Sequence, residues 1–180
     1  MMQEVGIRAS LYFLVAALAA VFLSSCASQM PAKESRLVHC FEHGKTVYIA
    51  PNGKAIAPPR APRCVKRMIA AANALTEKPY RYGGGHQCFD DHGYDCSGAV
   101  SCVLHAGGKI HKPMASQEFF DYGEKGYGDW VTLYVRNGHV FLVIAGARFD
   151  TGGTRRSTGP RWKPHPRVVK GYYVRHPVGL

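Results

Sequence analysis

The segment GYDCSGAV, residues 93–100, places a cysteine where a nucleophile would need it. Asp95 is suited to cap a helix that starts at Cys96, because a carboxylate accepts hydrogen bonds from the free backbone N–H groups there. The positive end of such a helix favours a thiolate over a thiol. The same N–H groups can stabilise an oxyanion during acyl transfer. A buried structural cysteine is the alternative, which this octapeptide alone does not exclude.

A thiolate nucleophile needs a base, and the best-placed candidate is His139. It is the first residue of the segment HVFLVI, so that a polar ring lies at the start of a predicted buried strand. A helix-start cysteine followed about 40 residues later by a strand-start histidine is the order found in papain-like cysteine peptidases. The other histidines lie in predicted loops or on helix flanks, and most of them are expected to be solvated.

Two helices are predicted to precede the sheet. Apolar residues recur at helical spacing from Val65 to Leu75, and Pro79 stops that helix. The glycine-rich loop YRYGGGHQCFDDHGYD follows. The second helix begins near Cys96 and ends at the glycine pair 107–108, and its inward face consists of Ala99, Val100, Val103 and Leu104.

Strands dominate the rest of the chain. KTVYIAPNGKAI predicts two short strands about a Pro-Asn-Gly turn, and DWVTLYV, HVFLVIAGARFD and GYYVRHPV are each predicted to be strands. The apolar run in HVFLVIAGARFD is continuous, as expected where both faces of a strand are covered. Helices followed by an antiparallel sheet predict an α+β fold.

The amino terminus indicates export. An arginine at position 8 precedes LYFLVAALAAVFL, a run of the length of a signal-peptide core. The run ends in LSSC and so resembles a bacterial lipobox, with Cys26 as the lipidated residue. The alternative is an ordinary signal peptide in which this cysteine is incidental. We therefore expect a signal peptide over 1–25, a tether and small β-hairpin over 26–63, and a catalytic domain over 64–180, anchored by lipid to the cell envelope.

The net charge is +11, and this favours polyanionic surroundings. Nucleic acid is not expected, because basic and aromatic residues do not interleave on one element. The basic residues concentrate only in TRRSTGPRWKPHPR, residues 154–167, where a solvated loop and a substrate-facing one are both open readings. A bacterial cell wall, which is rich in carboxylates, is a partner that suits this charge.

Export makes disulfides available, and five cysteines remain beside Cys26. An odd number leaves at least one thiol unpaired, for which Cys96 is the candidate. A Cys40–Cys64 bridge is predicted, and a bridge between cysteines 88 and 102 is the weaker option. A zinc site is the competing use of these residues, but no pair of CxxC motifs supports it, and neither a metal nor another cofactor is expected.

Four segments together resemble the NlpC family of peptidoglycan cysteine peptidases: PYRYGGG, GYDCSGAVSCVLHAGG, SQEFFDYG and GHVFLVIAG. The resemblance spans residues 65 to about 152, and its specific part is Asp-Cys-Ser-Gly followed by Gly-His-Val. It implies a papain-like fold and hydrolysis of a peptide bond in the peptidoglycan stem, commonly the bond after γ-D-glutamate. Carried over by position, Cys96 is the nucleophile and His139 the base, while Tyr80, Asp95 and Ser97 belong to the substrate site.

The third catalytic position departs from the family pattern. The family usually has a histidine on the strand after the base, whereas this chain reads ARFDTGG, which places Asp150 or Thr151 there. A carboxylate can orient an imidazole, so Asp150 is the prediction, with a strand-end turn residue as the alternative. Three rival functions remain open at this point: an amidase that cleaves between sugar and stem peptide, an acyl- or peptidyl-transferase, and a wall-binding lipoprotein without turnover.

Overall fold

The computed structural model describes residues 45–152, 158–163 and 167–180. Its helices are α1 (Arg63–Leu75), α2 (Cys96–Ala106) and a 3-10 helix (Glu118–Phe120). The strands are β1 (Tyr48–Ile49), β2 (Ala55–Ile56), β3 (Glu124–Lys125), β4 (Val131–Arg136), β5 (His139–Ile144), β6 (Ala147–Asp150), β7 (Arg161–Lys163) and β8 (Tyr173–His176). Within these ranges, no helix has the length and apolar content needed to span a membrane. The segment containing Cys26 lies outside the described residues.

Both predicted helices form. The apolar positions Val65, Met68, Ile69, Ala72 and Leu75 of α1 are all buried, which matches the helical spacing of the sequence. The helix follows a proline, whose fixed φ suits a helix start. Helix α2 packs against both α1 and β5, and its predicted inward face is buried. Helix α2 therefore lies on the sheet, and α1 packs against α2.

The sheet has six strands in the order β3-β8-β4-β5-β6-β7, and every described pairing is antiparallel. The α+β class expected from the sequence is thus confirmed. In β5, Val140, Leu142 and Ile144 alternate into the core that the helices cover. The intervening positions belong to the other face, where Phe141 stacks on Tyr134 with ring centroids 4.9 Å apart. Both faces of the central strands are therefore covered, as the continuous apolar run indicated.

The segment HVFLVIAGARFD is two strands, not one. Ala145 and Gly146 have φ values of 45° and 79°, and they connect β5 to β6 as a two-residue turn. The prediction of a single strand was wrong because the apolar pattern continues through the turn. The turn reverses the chain, so that Asp150 at the end of β6 returns towards the start of β5.

The basic segment 154–167 contains a strand that the sequence did not indicate. Strand β7 pairs with β6 at the edge of the sheet, and Trp162 lies against Phe149 with ring centroids 5.1 Å apart. The indole Nε1–H donates to Asn73 Oδ1 of α1 at 2.8 Å. The loop interpretation was therefore wrong for Arg161–Lys163. Residues 153–157 and 164–166 lie outside the described ranges.

The predicted β1–β2 hairpin also forms, and it packs on α1. The Asn73 side chain bonds both backbone groups of Ala55, accepting from its N–H and donating to its carbonyl at 2.8 Å each. Ala55 and Val47 are buried in the common core. This segment is tied to the same helix that supports the rest of the fold.

Candidate active site

The start of α2 is fixed by Asp95. Its Oδ1 accepts from the Gly98 backbone N–H at 2.8 Å, and its Oδ2 accepts from Gly83 N–H at 3.0 Å. The carboxylate therefore caps the helix and ties it to the glycine-rich loop at once. Cys96 is the first residue of the helix and is partly buried. The predicted placement of the cysteine in the first helical turn is confirmed.

The glycine-rich loop packs so closely on this helix that side chains cannot be accommodated between them. A Cβ at Gly98 would overlap the carbonyl oxygen of Gly84. At Gly85 the backbone has a φ of +82°, and a Cβ there would lie 2.6 Å from a ring carbon of Tyr94. These contacts explain the glycines on both sides of the cysteine. The glycine-rich loop is thereby packed tightly against the first turn of the helix, where Cys96 lies.

His86 joins the cap, although the sequence suggested a solvated loop residue. Its Nε2 lies 3.0 and 3.1 Å from the two Asp95 carboxylate oxygens and 3.2 Å from Ser97 Oγ. Ser97 Oγ also donates to Asp95 Oδ1 at 3.1 Å. This serine, histidine and aspartate are not a proton relay, because a relay needs the serine and the carboxylate on opposite ring nitrogens. The group braces the helix start instead.

The geometry around Asp95 and Ser97 bears on their predicted substrate role. Both side chains are buried, and both carboxylate oxygens of Asp95 have partners within the protein. These contacts account for the two residues as parts of the helix cap. Direct contact of either residue with substrate stays a prediction.

His139 and Asp150 form the second half of the site. His139 is the first residue of β5, and its Nε2 lies 3.0 Å from Asp150 Oδ1. Cys96 lies near enough to the same imidazole for its side chain to raise the pKa of the ring. Because Nε2 is occupied by the carboxylate, Nδ1 is the nitrogen that remains for the thiol. The structure thus brings together the three residues that the sequence singled out, and it places Thr151 in the buried position next to Asp150.

These contacts favour the charged states of both partners. Burial lowers the pKa of His139, but the hydrogen bonds and negative charges of Asp150 and Cys96 outweigh it and raise that pKa to about 9. Burial raises the pKa of Asp150, yet the bonds from His139 and the Gly152 N–H, with the charges of His139 and Arg167, bring it below its usual value. At neutral pH the site therefore holds an imidazolium beside a carboxylate.

Tyr80 is held beside the residues that lead into α2, and its part in the substrate site stays a prediction. It pairs with Tyr94 through an isolated parallel bridge, and its side chain remains partly exposed. Burial, followed by the negative charges of Cys96 and Asp95, raises the pKa of the Tyr80 hydroxyl. The hydroxyl is therefore protonated at neutral pH and can donate a hydrogen bond.

Asp150 has a further partner that the sequence did not identify. Arg167 Nη1 lies 2.6 Å from Asp150 Oδ2, and the Gly152 N–H donates to Oδ1 at 2.7 Å. The Asp150 side chain is fully buried between these groups and His139. A Cβ at Gly152 would come within 3.1 Å of both the Arg167 guanidinium and the imidazole. The basic composition of residues 154–167 was the available signal, but it did not single out one arginine.

The structure has free thiols at Cys64, Cys88, Cys96 and Cys102. The weaker option, a bridge between Cys88 and Cys102, is therefore not formed. Burial raises the pKa of the Cys102 thiol to about 11, which makes it a poor nucleophile. The predicted Cys40–Cys64 bridge is likewise not formed, because Cys64 is free; Cys40 itself lies outside the described residues. Within the described ranges, no cluster of three or more His, Cys, Asp and Glu side chains is arranged to hold a metal ion.

No protein-family model matches this chain, and no curated protein matches it. Among solved structures, it is similar to a hypothetical invasion protein of Mycobacterium tuberculosis, with 25% identity and a TM-score of 0.46 over 72% of this chain and 71% of that chain. It is similar to a mutated form of the resuscitation promoting factor interacting protein RipA, with 25% identity and a TM-score of 0.47 over 72% and 71% of the two chains.

A third similar structure is RipD from Mycobacterium tuberculosis, described as a non-catalytic NlpC/p60 domain protein adapted to peptidoglycan binding. It has 19% identity and a TM-score of 0.47, covering 64% of this chain and 98% of that chain. These solved structures thus include both a non-catalytic protein and RipA. The chemistry of the present site follows from the contacts within this chain.

Proposed function

We propose that this protein is a cell-wall hydrolase, a cysteine peptidase that cleaves a peptide bond in peptidoglycan stem peptides, the bond after γ-D-glutamate. The observation that carries the proposal is one imidazole that contacts Asp150 through Nε2 at 3.0 Å and whose pKa is also raised by the nearby Cys96 side chain. A nucleophile, its base and the group that orients the base are then all present. The choice of substrate is supported by the NlpC-like motifs and by the basic charge of the chain.

The roles follow from the geometry. His139 holds the proton of the Cys96 thiol on Nδ1, and the Cys96 sulfur attacks the scissile carbonyl carbon, whose oxygen becomes an oxyanion. Backbone N–H groups at the start of α2 and the Tyr80 hydroxyl are the donors that we assign to it. His139 then gives its Nδ1 proton to the leaving amine, the carbon–nitrogen bond breaks, and an acyl-thioester remains on Cys96.

Water completes the reaction. His139, now neutral, takes a proton from water at Nδ1 as the oxygen attacks the thioester carbon. The carbon–sulfur bond breaks, which releases the new carboxylic acid and regenerates the pair of sulfur and imidazolium. Asp150 keeps its charge throughout, because its part is to hold the Nε2–H and to stabilise the cation.

The cellular setting belongs to the same proposal. A lipid on Cys26 would anchor the protein in the cell envelope, on the outer membrane facing the periplasm where the source has two membranes. The tether at 26–63 would then let the domain at 64–180 reach the wall. The net charge of +11 suits a surface that works against an anionic polymer.

Mass spectrometry of muropeptides after incubation with the mature protein tests the reaction. Products that end in γ-D-glutamate are expected, and Cys96→Ala and His139→Ala should each reduce hydrolysis to background without unfolding the domain. The two losses should not add, because either change disables the same unit. Cys88→Ala, at an exposed thiol outside the catalytic contacts, is the matched control and should retain activity.

The same assay separates the rivals. Intact stem peptides released with a free L-alanine amine would indicate the amidase instead. Transfer of the acyl group to an added amine, in excess of hydrolysis, would indicate the transferase. Binding of muropeptides without any product, together with no faster alkylation of Cys96 than of Cys88, would make the protein a wall-binding lipoprotein and refute the proposal.

A further inference from the structure

Arg167 approaches the catalytic contacts from the far end of the chain. Its Nη1 lies 2.6 Å from Asp150 Oδ2 and 3.5 Å from His139 Nε2. The guanidinium carbon lies 5.4 Å from the ring centroid of Phe141 and 5.7 Å from that of Tyr172, which suits cation–π contact with both rings. The side chain is only 18% exposed, so the cation is held between these rings and the carboxylate.

These distances decide where the protons lie. Arg167 Nη1 lies near both Asp150 Oδ2 and His139 Nε2, and the much shorter contact is the one to Asp150 Oδ2. Oδ2 is thereby engaged, and Oδ1 is the oxygen left for the imidazole. Because Nε2 lies 3.0 Å from that oxygen, it must carry hydrogen and donate. The proton that moves during catalysis is then the one on Nδ1, on the side of Cys96.

We propose that Arg167 is a positioning residue that assigns the protons of His139, by binding Asp150 so that the carboxylate holds Nε2–H and leaves Nδ1 as the base. The consequence for turnover rests on the proposed function, whereas the assignment of the protons does not. A second cation, Arg148, has its Nε 3.9 Å from Asp150 Oδ2, beyond hydrogen-bond distance, and so cannot replace this contact.

This arrangement predicts that the effect of Arg167 on activity reverses when Asp150 is removed. With the carboxylate present, Arg167 supports the productive proton arrangement. When the Asp150 carboxylate is removed, His139 Nε2 is the acceptor that remains near Arg167 Nη1, and the arginine would donate to it. The neutral imidazole would then carry its proton on Nδ1, facing the sulfur, where it cannot act as a base. The arginine should therefore help the wild-type enzyme and hinder a variant that lacks Asp150.

A double-mutant cycle on the full chain tests this sign. Arg167→Met keeps the length and apolar contact of the side chain but removes its donors, and should lower kcat by about 10–100-fold at unchanged KM. In the Asp150→Ala background the same change should not lower kcat further and should raise it. Arg167→Lys should recover part of kcat because it restores the charge. Lys170→Met, at an exposed lysine of the same segment, is the control and should leave kcat unchanged.

Nitrogen NMR of the His139 ring provides a readout that needs no turnover. Above the pKa of about 9, where the ring is neutral, the wild type should show the Nε2–H tautomer and Asp150→Ala the Nδ1–H tautomer. The double variant should lose that preference for Nδ1–H. Equal losses of kcat from Arg167→Met in both backgrounds, or tautomers unaffected by Arg167, would overturn the inference. If the wild type were inactive but showed the expected tautomers, the proposed function would be refuted and the assignment of the His139 protons would still hold.

Discussion

The contact between His139 and Asp150 makes the stability of the fold depend on pH. Raising the pH through the His139 titration should therefore destabilise the wild type relative to His139→Gln, which lacks the titrating ring. The imidazole is 13% exposed and the carboxylate is fully buried, so solvent screens their interaction only weakly. The pKa of His139 is raised from 6.5 to about 9 in the folded protein.

The size of the effect follows from that shift. A difference of about 2.5 units, at about 1.4 kcal/mol per unit, corresponds to about 3 kcal/mol of stability. Because the folded-state pKa is the higher one, this stability is fully present below about pH 6.5. It is lost as the pH rises through about 9, when the ring loses its proton and the attraction to Asp150 disappears.

Urea unfolding followed by circular dichroism measures the effect. The free energy of unfolding of the wild type minus that of His139→Gln should fall by about 3 kcal/mol between about pH 6 and about pH 10. Taking the difference removes titrations that both proteins share, and starting at about pH 6 keeps Asp150 ionised throughout. A difference that stays constant over this range, or that grows with pH, would refute the charged pair.

Two further perturbations address the helix start and the anchor. Gly98→Ala should destabilise the fold by about 1–3 kcal/mol in thermal unfolding, because its Cβ would overlap the Gly84 carbonyl oxygen; an unchanged midpoint would contradict that contact. Cys26→Ser should leave an unprocessed precursor and abolish labelling by a fatty-acid analogue, whereas normal processing with an unlabelled wild type would exclude the lipoprotein.

The helices and the placement of Cys96 and His139 at the starts of their elements were predictable, because their signals are local. The apolar spacing of α1 and the cap residue Asp95 are each contained within a few residues, and both are as expected. His139 was predictable as a polar residue that opens an apolar strand. Asp150 was predictable only as one of two neighbours, and the turn that returns it to His139 was hidden, because Ala145 continues the apolar pattern.

Contacts between distant parts of the chain were not predictable in the same way. Arg167 reaches Asp150 across a segment in which basic residues follow no periodic pattern, so no position in it stands out. The three residues of β7 are too few to show an alternation, and they form a strand because Trp162 packs on Phe149 and bonds α1. His86 lies in a glycine-rich loop, where composition indicates flexibility and gives no sign of a buried partner.

The site contains two buried carboxylates, Asp95 and Asp150, and each contacts a histidine but has a different role. Asp95 accepts from backbone N–H groups and from His86, whose single nitrogen Nε2 faces both of its oxygens, so the contacts hold the start of a helix in place. Asp150 divides its oxygens between an imidazole and a guanidinium, so its contacts fix the protons of His139. Because His139 keeps its other nitrogen for Cys96, only this second pair can move a proton. Asp95 therefore fixes the helix that begins at Cys96, whereas Asp150 orients the His139 ring.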